Sequence, residues 1–276
     1  MQKFDKKPLP RVADHQKELV KLFHSFSGRH SHWRVFTDFC EIAAISFSNA
    51  VDLRQREGRE ERYLQIVKGY NRAELDSFAR GIAHLTMAME ANMVDVMGRT
   101  YHDLELHNKW AQQYFTPDAL CQMMAKMTIG NCDDLTERIT TRGFVTAQEP
   151  AVGSGAMVIA LAKEMRDAGI NYQQHLHVTA VDIDPKCVHM AYVQFTLLHI
   201  PAVIIHGDTL SLKEYGQWFT PAHIMGGWDW KLLRLPEVNE MHEVQAPPAQ
   251  TPPLVAPPAN TDFPAKPNVP AQLKLF

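Results

Sequence analysis

Apolar positions along the first hundred residues recur at helical spacing. Val20, Phe23 and Phe26 keep that spacing, an apolar stripe runs through 36–53, and further helical stretches occupy 63–70 and 73–98. The polar run 56–62 interrupts them, and few prolines or glycines do so elsewhere. This pattern predicts four or five helices over 11–107. The period then changes. Short β-branched runs at 143–149, 177–184 and 202–208 end in acidic residues, and helical stretches at 156–169 and 185–200 separate them. Strand alternating with helix predicts a Rossmann-like, doubly wound parallel α/β sheet. Nine of the 17 prolines then fall between Pro247 and Pro270, where no apolar period survives. The expected organisation is a helical domain over 1–107, an α/β domain over 108–240 and a disordered, Pro-rich tail over 241–276.

Composition narrows the classes. Twenty-eight Lys and Arg against 31 Asp and Glu give a net charge of −3, so no global basic field announces nucleic acid, although a local patch would suffice. No apolar run is long enough to span a bilayer, and the basic N-terminus lacks an apolar core behind it, which predicts neither a transmembrane helix nor a signal peptide. Cys40, Cys121, Cys132 and Cys187 are scattered, as expected of buried thiols in a reducing cytosol. The 14 histidines show no paired ligand spacing, so no metal site is expected and they are assigned to surfaces or helix faces. The methionines at 87, 89, 93, 97, 123, 124 and 127 keep helical spacing and read as core filler, and the charge run 56–62 as a solvated face or loop.

The most informative stretch is Glu149-Pro150-Ala151-Val152-Gly153-Ser154-Gly155, between the first strand and its helix. Two glycines there allow a tight turn and close approach of a ligand to bare backbone. The third glycine of a dinucleotide-binding loop is missing. An acid ahead of a Gly-Ser-Gly turn suits a smaller zwitterion, with the acid holding an ammonium while helix-start N–H groups face a carboxylate. Asp182 closes the second strand, where a carboxylate can accept both hydroxyls of a ribose. Asp184 reads as the cap of the helix beginning at Pro185. Asp208 closes the third strand, within reach of an adenine amino group.

The segments 149–155, 181–200 and 206–210 resemble consecutive motifs of the S-adenosylmethionine-dependent N6-adenine DNA methyltransferases, above all modification subunits of type I restriction-modification systems and their plasmid and phage relatives. Upstream, Phe115-Thr116-Pro117 within 108–127 is similar to the family's cofactor-closing segment, and 95–106 to its helical lead-in. Gln112 stands where that segment usually carries glycine. The resemblance implies S-adenosylmethionine as cofactor and DNA as substrate, in keeping with the soluble, cytoplasmic protein that the composition predicts. It implies that Tyr114, Phe115, Thr116 and Pro117 border the methionine end. Glu149, Ala151, Gly153 and Gly155 would hold the amino-acid part, Asp182 the ribose and Asp208 the adenine.

One expected element is missing. The family carries Asn/Asp-Pro-Pro-aromatic after a fourth strand, where it holds the target amino group and stacks on the flipped base. No such tetrapeptide follows Asp208, and the Pro-Pro pairs of the tail follow Ala or Thr. Trp218, Phe219 and Trp228, with Trp230, are the remaining catalytic candidates; the other reading has them cover a sheet edge. Two functions therefore stand side by side. One is a DNA N6-adenine methyltransferase completed by these aromatics or by a partner subunit or second copy. The other is a degenerate relative that modifies nothing and occupies DNA, the sliding clamp or a restriction-modification subunit as a regulatory or anti-restriction factor. Finally, Gln272-Leu273-Lys274-Leu275-Phe276 resembles a bacterial sliding-clamp-binding peptide, with Gln272, Leu273, Leu275 and Phe276 as its contact residues.

Overall fold

The computed structural model describes residues 12–26, 28–106, 116–130 and 132–233. Five helices, α1 (Val12–His24), α2 (His32–Asn49), α3 (Arg56–Val67), α4 (Arg72–Ala91) and α5 (Val96–Asp103), stand where four or five were expected. Local chemistry starts them. Ser31 caps α2 by accepting from the Arg34 amide, and Asn71 with Glu74 forms a reciprocal capping box on α4. Phe23, Phe36, Phe39 and Phe78 fill the space between α1, α2 and α4 with edge-on and tilted ring contacts.

Two further helices, α6 (Asp118–Ile129) and α7 (Cys132–Arg142), lead to β1 (Val145–Glu149). There follow α8 (Ala156–Asp167), the short α9 (Tyr172–His175), β2 (Leu176–Asp182), α10 (Pro185–Leu197) and β3 (Ala202–Asp208). The three strands expected from the sequence are thus present and mutually parallel. Strand order follows chain order, and a fourth strand, β4 (Lys213–Phe219), returns antiparallel to β3 on a stretch whose residue pattern predicts no strand. Two short helices, α11 (Pro221–Met225) and α12 (Trp228–Leu233), follow it.

Alternate residues of the strands face opposite ways. Leu176, Val178 and Ala180 of β2 and Ala202 and Ile204 of β3 join α10 and the N-terminal helices in one continuous core. On β2's other face, His177 packs against Trp228 and shares a 2.9 Å hydrogen bond with His223.

Three expectations need correction. The run 56–62 is no break, because it opens α3; it presents the expected solvated helix face except at the buried Arg59. That guanidinium donates to Asp52 at 2.9 Å and to the Gln217 carbonyl at 2.8 Å, and it lies over the Trp218 ring. Of the methionines, Met89, Met93 and Met97 are core, whereas Met87, Met123, Met124 and Met127 are exposed. On α6 the small side chains Cys121 and Ala125 pack against Ala156 and Ala160 of α8, which turns the bulkier Leu120, Met123, Met124 and Met127 outward. The histidines include deeply buried ones, namely His177, His189 and His223.

Burial holds the His177 and His189 imidazoles neutral, pulling each down to about 4, helped at His177 by its neighbour His223. The unfolded chain binds protons at these sites near pH 6.5 and the folded chain does not. Stability is therefore complete above about 6.5 and falls as the pH drops toward about 4, by roughly 1.4 kcal/mol per pH unit for each histidine. His189→Leu, which removes one titrating group beside Trp218, is expected to flatten that slope in urea unfolding measured from pH 7 to pH 4.5.

Candidate cofactor site

The loop after β1 is shaped by two glycines with left-handed backbone, Gly153 at φ +54° and Gly155 at φ +99°. Gly155 is constrained twice, since a Cβ there would also stand 2.6 Å from the Phe195 ring of α10. The turn is pinned by backbone bonds, Val152 N to Val181 O at 2.9 Å and Gly155 N to Val152 O at 2.8 Å. It ends in the N-terminus of α8, whose free amides give the site positive character.

Three carboxylates stand at the C-terminal ends of adjacent parallel strands: Glu149 ends β1, Asp182 ends β2 and Asp208 ends β3. Asp182 reaches across to the loop, accepting from Gly153 N at 2.8 Å and from Asp184 N at 2.9 Å. Burial pushes its carboxyl up, while those two amides pull it back. Glu149 accepts from Ala151 N at 3.3 Å, and burial raises it as well, with Asp182 adding repulsion. Asp208 is turned onto its own chain, accepting from Leu210 N at 2.9 Å and from the Ser211 hydroxyl at 2.8 Å, which hold it below the usual carboxylate range. Asp184 caps α10 as expected, accepting from Lys186 N at 2.9 Å.

Glu149, Ala151, Gly153, Gly155 and Asp182 thus belong to one neighbourhood, and Asp208 lies at the next strand end. Thr116 and Pro117 lead into α6, while Tyr114 and Phe115 lie outside the described residues, as do Gln272, Leu273, Leu275 and Phe276. The aromatic candidates are not brought to this place. Phe219 pairs with Val203 and Trp218 with Ile204, near the start of β3, whereas Asp208 pairs with Lys213 at the far end. Trp218 is packed by Arg59, His189 and Tyr192, and Trp228 is buried against Phe144 and His177. Antiparallel β4 carries this cluster to the N-terminal end of the parallel strands, away from the acids.

Several residues escaped the sequence analysis. Asp95, Ser154 and Gln194 form a buried knot behind the glycine loop. The Thr209 hydroxyl donates to Pro150 O at 2.6 Å, tying the end of β3 to the turn after β1. Ile183, 61% exposed, stands beside Asp182 as an apolar surface. Asp95 had a legible signal, an acid three residues ahead of Gly98 at a helix start. Gln194, a polar residue within an apolar helical run, had another.

Residues 93–225 match the family model described as N-6 DNA Methylase, a span that takes in every element from α5 to the end of α11. No curated protein matches the chain. Among solved structures, a protein of Listeria monocytogenes described as a class I S-adenosylmethionine-dependent methyltransferase is similar at 16% identity, with a TM-score of 0.39. That alignment covers 71% of this chain and 54% of the other. The family match implies S-adenosylmethionine as the cofactor. Among the described residues, no helix is long and apolar enough to cross a membrane, and no group of His, Cys, Asp or Glu could hold a metal ion.

The loop itself can be tested. Gly155→Ala would force a left-handed alanine against the Phe195 ring and is expected to lower unfolding stability by roughly 2–3 kcal/mol in urea titration. Gly143→Ala, also left-handed (φ +83°) but with open space around its Cβ, should cost about 1 kcal/mol.

Proposed function

We propose that this chain binds S-adenosylmethionine at the C-terminal ends of β1–β3 and belongs functionally with the DNA N6-adenine methyltransferases. The observation that carries the reading is the Asp182 carboxylate fixed against Gly153 N, with Glu149 and Asp208 on the neighbouring strand ends. A carboxylate ion has about four lone-pair positions, so Asp182 keeps acceptor capacity for two ribose hydroxyls. Glu149 would face the ammonium, and the amides at the start of α8 the carboxylate of the methionine part. An adenine amino group at Asp208 would compete with the Ser211 hydroxyl for one oxygen. Thr116 and Pro117, with Tyr114 and Phe115 before them, would close over the methionine end. The cofactor supplies the activated methyl group; the chain supplies position and charge around it.

The placement of Trp218, Phe219 and Trp228 at the other end of the sheet favours a second reading of the methylation step. The group that holds the target adenine comes from a partner subunit or second copy, or the chain modifies nothing and acts by occupying DNA. The C-terminal Gln272, Leu273, Leu275 and Phe276 would recruit the chain to the bacterial sliding clamp, providing DNA proximity that its net charge does not.

Calorimetric titration of the full chain with S-adenosylmethionine should give micromolar binding, which Asp182→Ala weakens about 10- to 100-fold, as expected for losing a buried polar contact worth ~1–3 kcal/mol. Absence of binding at millimolar cofactor would overturn the reading. Deletion of 272–276 is expected to abolish co-purification with the sliding clamp; unchanged co-purification would remove that part.

A further inference from the structure

Helix α5 touches three of the segments assigned above to the cofactor, each through a different side chain. At its start, the buried Asp95 accepts from Gly98 N at 2.8 Å, from Gln194 Nε2 at 2.8 Å and from the Ser154 hydroxyl. Gln194 of α10 completes the knot, donating to the Ser154 carbonyl at 2.7 Å and accepting from Met97 N at 3.1 Å. Ser154 sits between the two glycines of the loop and is therefore held by both its hydroxyl and its carbonyl. One helical turn on, Arg99 Nε donates to Asp118 at 2.7 Å, fixing the first residue of α6 directly after Thr116 and Pro117. Near the end of α5, the Tyr101 hydroxyl accepts from Lys186 Nζ at 3.2 Å. Lys186 pairs in turn with Asp184 at 3.3 Å, in the turn that follows Asp182.

The spacing leaves little freedom. A Cβ at Gly98 would collide with the Asp95 carboxylate and stand 2.7 Å from the Ser154 hydroxyl, so the approach of α5 to the loop requires glycine there. Asp95 is 4% exposed and Ser154 1%, which removes water as a substitute partner.

We infer that α5 is a positioning bracket: Asp95, Arg99 and Tyr101 set the glycine loop, the entry to α6 and the turn after β2 in their binding geometry before any ligand arrives. This rests on the cofactor reading for its purpose, while the bracket is defined by contacts that need no ligand. Asp95, Arg99 and Tyr101 are positioning residues, since each acts on the site through Ser154, Asp118 or Lys186. The helical region is then part of the binding apparatus, because it pre-pays the ordering of a loop that would otherwise be ordered on binding.

The test uses the full chain and two measurements, amide hydrogen exchange without ligand and calorimetric titration with S-adenosylmethionine. Ser154→Ala removes the direct hydroxyl bond from the loop to Asp95 and leaves both glycines and the carbonyl bond to Gln194 in place. It is expected to speed exchange at Val152, Gly153 and Gly155 about tenfold or more and to weaken cofactor binding by a similar factor, with exchange in α2 unchanged. Arg99→Gln should loosen the first turn of α6 and weaken binding, and Arg99→Lys should restore both. Should Ser154→Ala fail to fold, the Arg99 pair, whose ion pair is partly exposed, carries the test alone. Unchanged local exchange, faster exchange spread evenly over the whole fold, or a loosened loop with unaltered affinity would each overturn the bracket. If the parent chain binds no cofactor but exchange rises locally in the variants, the positioning contacts stand and the cofactor reading falls.

Discussion

A buried carboxylate without a cation beside it must be surrounded by donors, and Asp95 is the residue on which this requirement falls hardest. The donors it uses come from three places, its own helix, the glycine loop and α10. Burial raises the carboxyl's affinity for a proton, and the Ser154, Gln194 and Gly98 donors counter that effect. Withdrawing any one of them leaves the buried carboxylate short of a hydrogen bond, at a cost of about 1–3 kcal/mol. The helical region and the α/β region are consequently joined by a polar contact as well as by a shared core. Apolar packing alone would tolerate small sliding between them. A hydrogen-bonded carboxylate fixes register between the helical region and the glycine loop.

Sheet topology decides which chemistry can meet. Parallel strands bring their C-terminal ends to one edge, so Glu149, Asp182 and Asp208 gather there although 59 positions separate the first from the last. Antiparallel β4 does the opposite and returns the chain to the other end. Phe219, His223 and Trp228 then cover one face of the sheet there, Trp218 packs on the opposite face with His189 and Tyr192, and the His177–His223 contact is continued at 3.0 Å by Asp229. One reversal of strand direction thus separates the acidic edge from the aromatic cluster. Proximity in sequence, ten residues from Asp208 to Trp218, says nothing of proximity in space here.

The α/β alternation, the glycine loop and the acidic strand ends were legible because each depends on local residue chemistry: β-branched runs, positive φ, and acids where strands stop. Direction of β4 was not legible. Its residues, Lys-Glu-Tyr-Gly-Gln-Trp-Phe, show only weak alternation, and whether such a strand joins parallel or antiparallel depends on the length of the connection. Burial of Arg59 was also hidden, because the Gln217 carbonyl, 158 residues on, and the Trp218 ring next to it complete its surroundings. Outward methionines on α6 had the same cause: helical spacing shows that a stripe exists, and the smaller Cys121 and Ala125 on the other side were what α8 could accept. Asp95 could be read as a cap; that it also serves a loop 59 residues later could not.

Arg59 has one more consequence. The last strand of an open sheet offers its backbone as a template on which a foreign strand can add, and β4 occupies that position. The Gln217 carbonyl is instead taken by Arg59 and, at 3.3 Å, by the Gln55 side chain, while the guanidinium plane lies 3.8 Å from the centre of the Trp218 ring. A charged side chain laid along the border of the sheet is a guard against self-association. The helical region thereby occupies, on that outer strand, a backbone acceptor that an added strand would need.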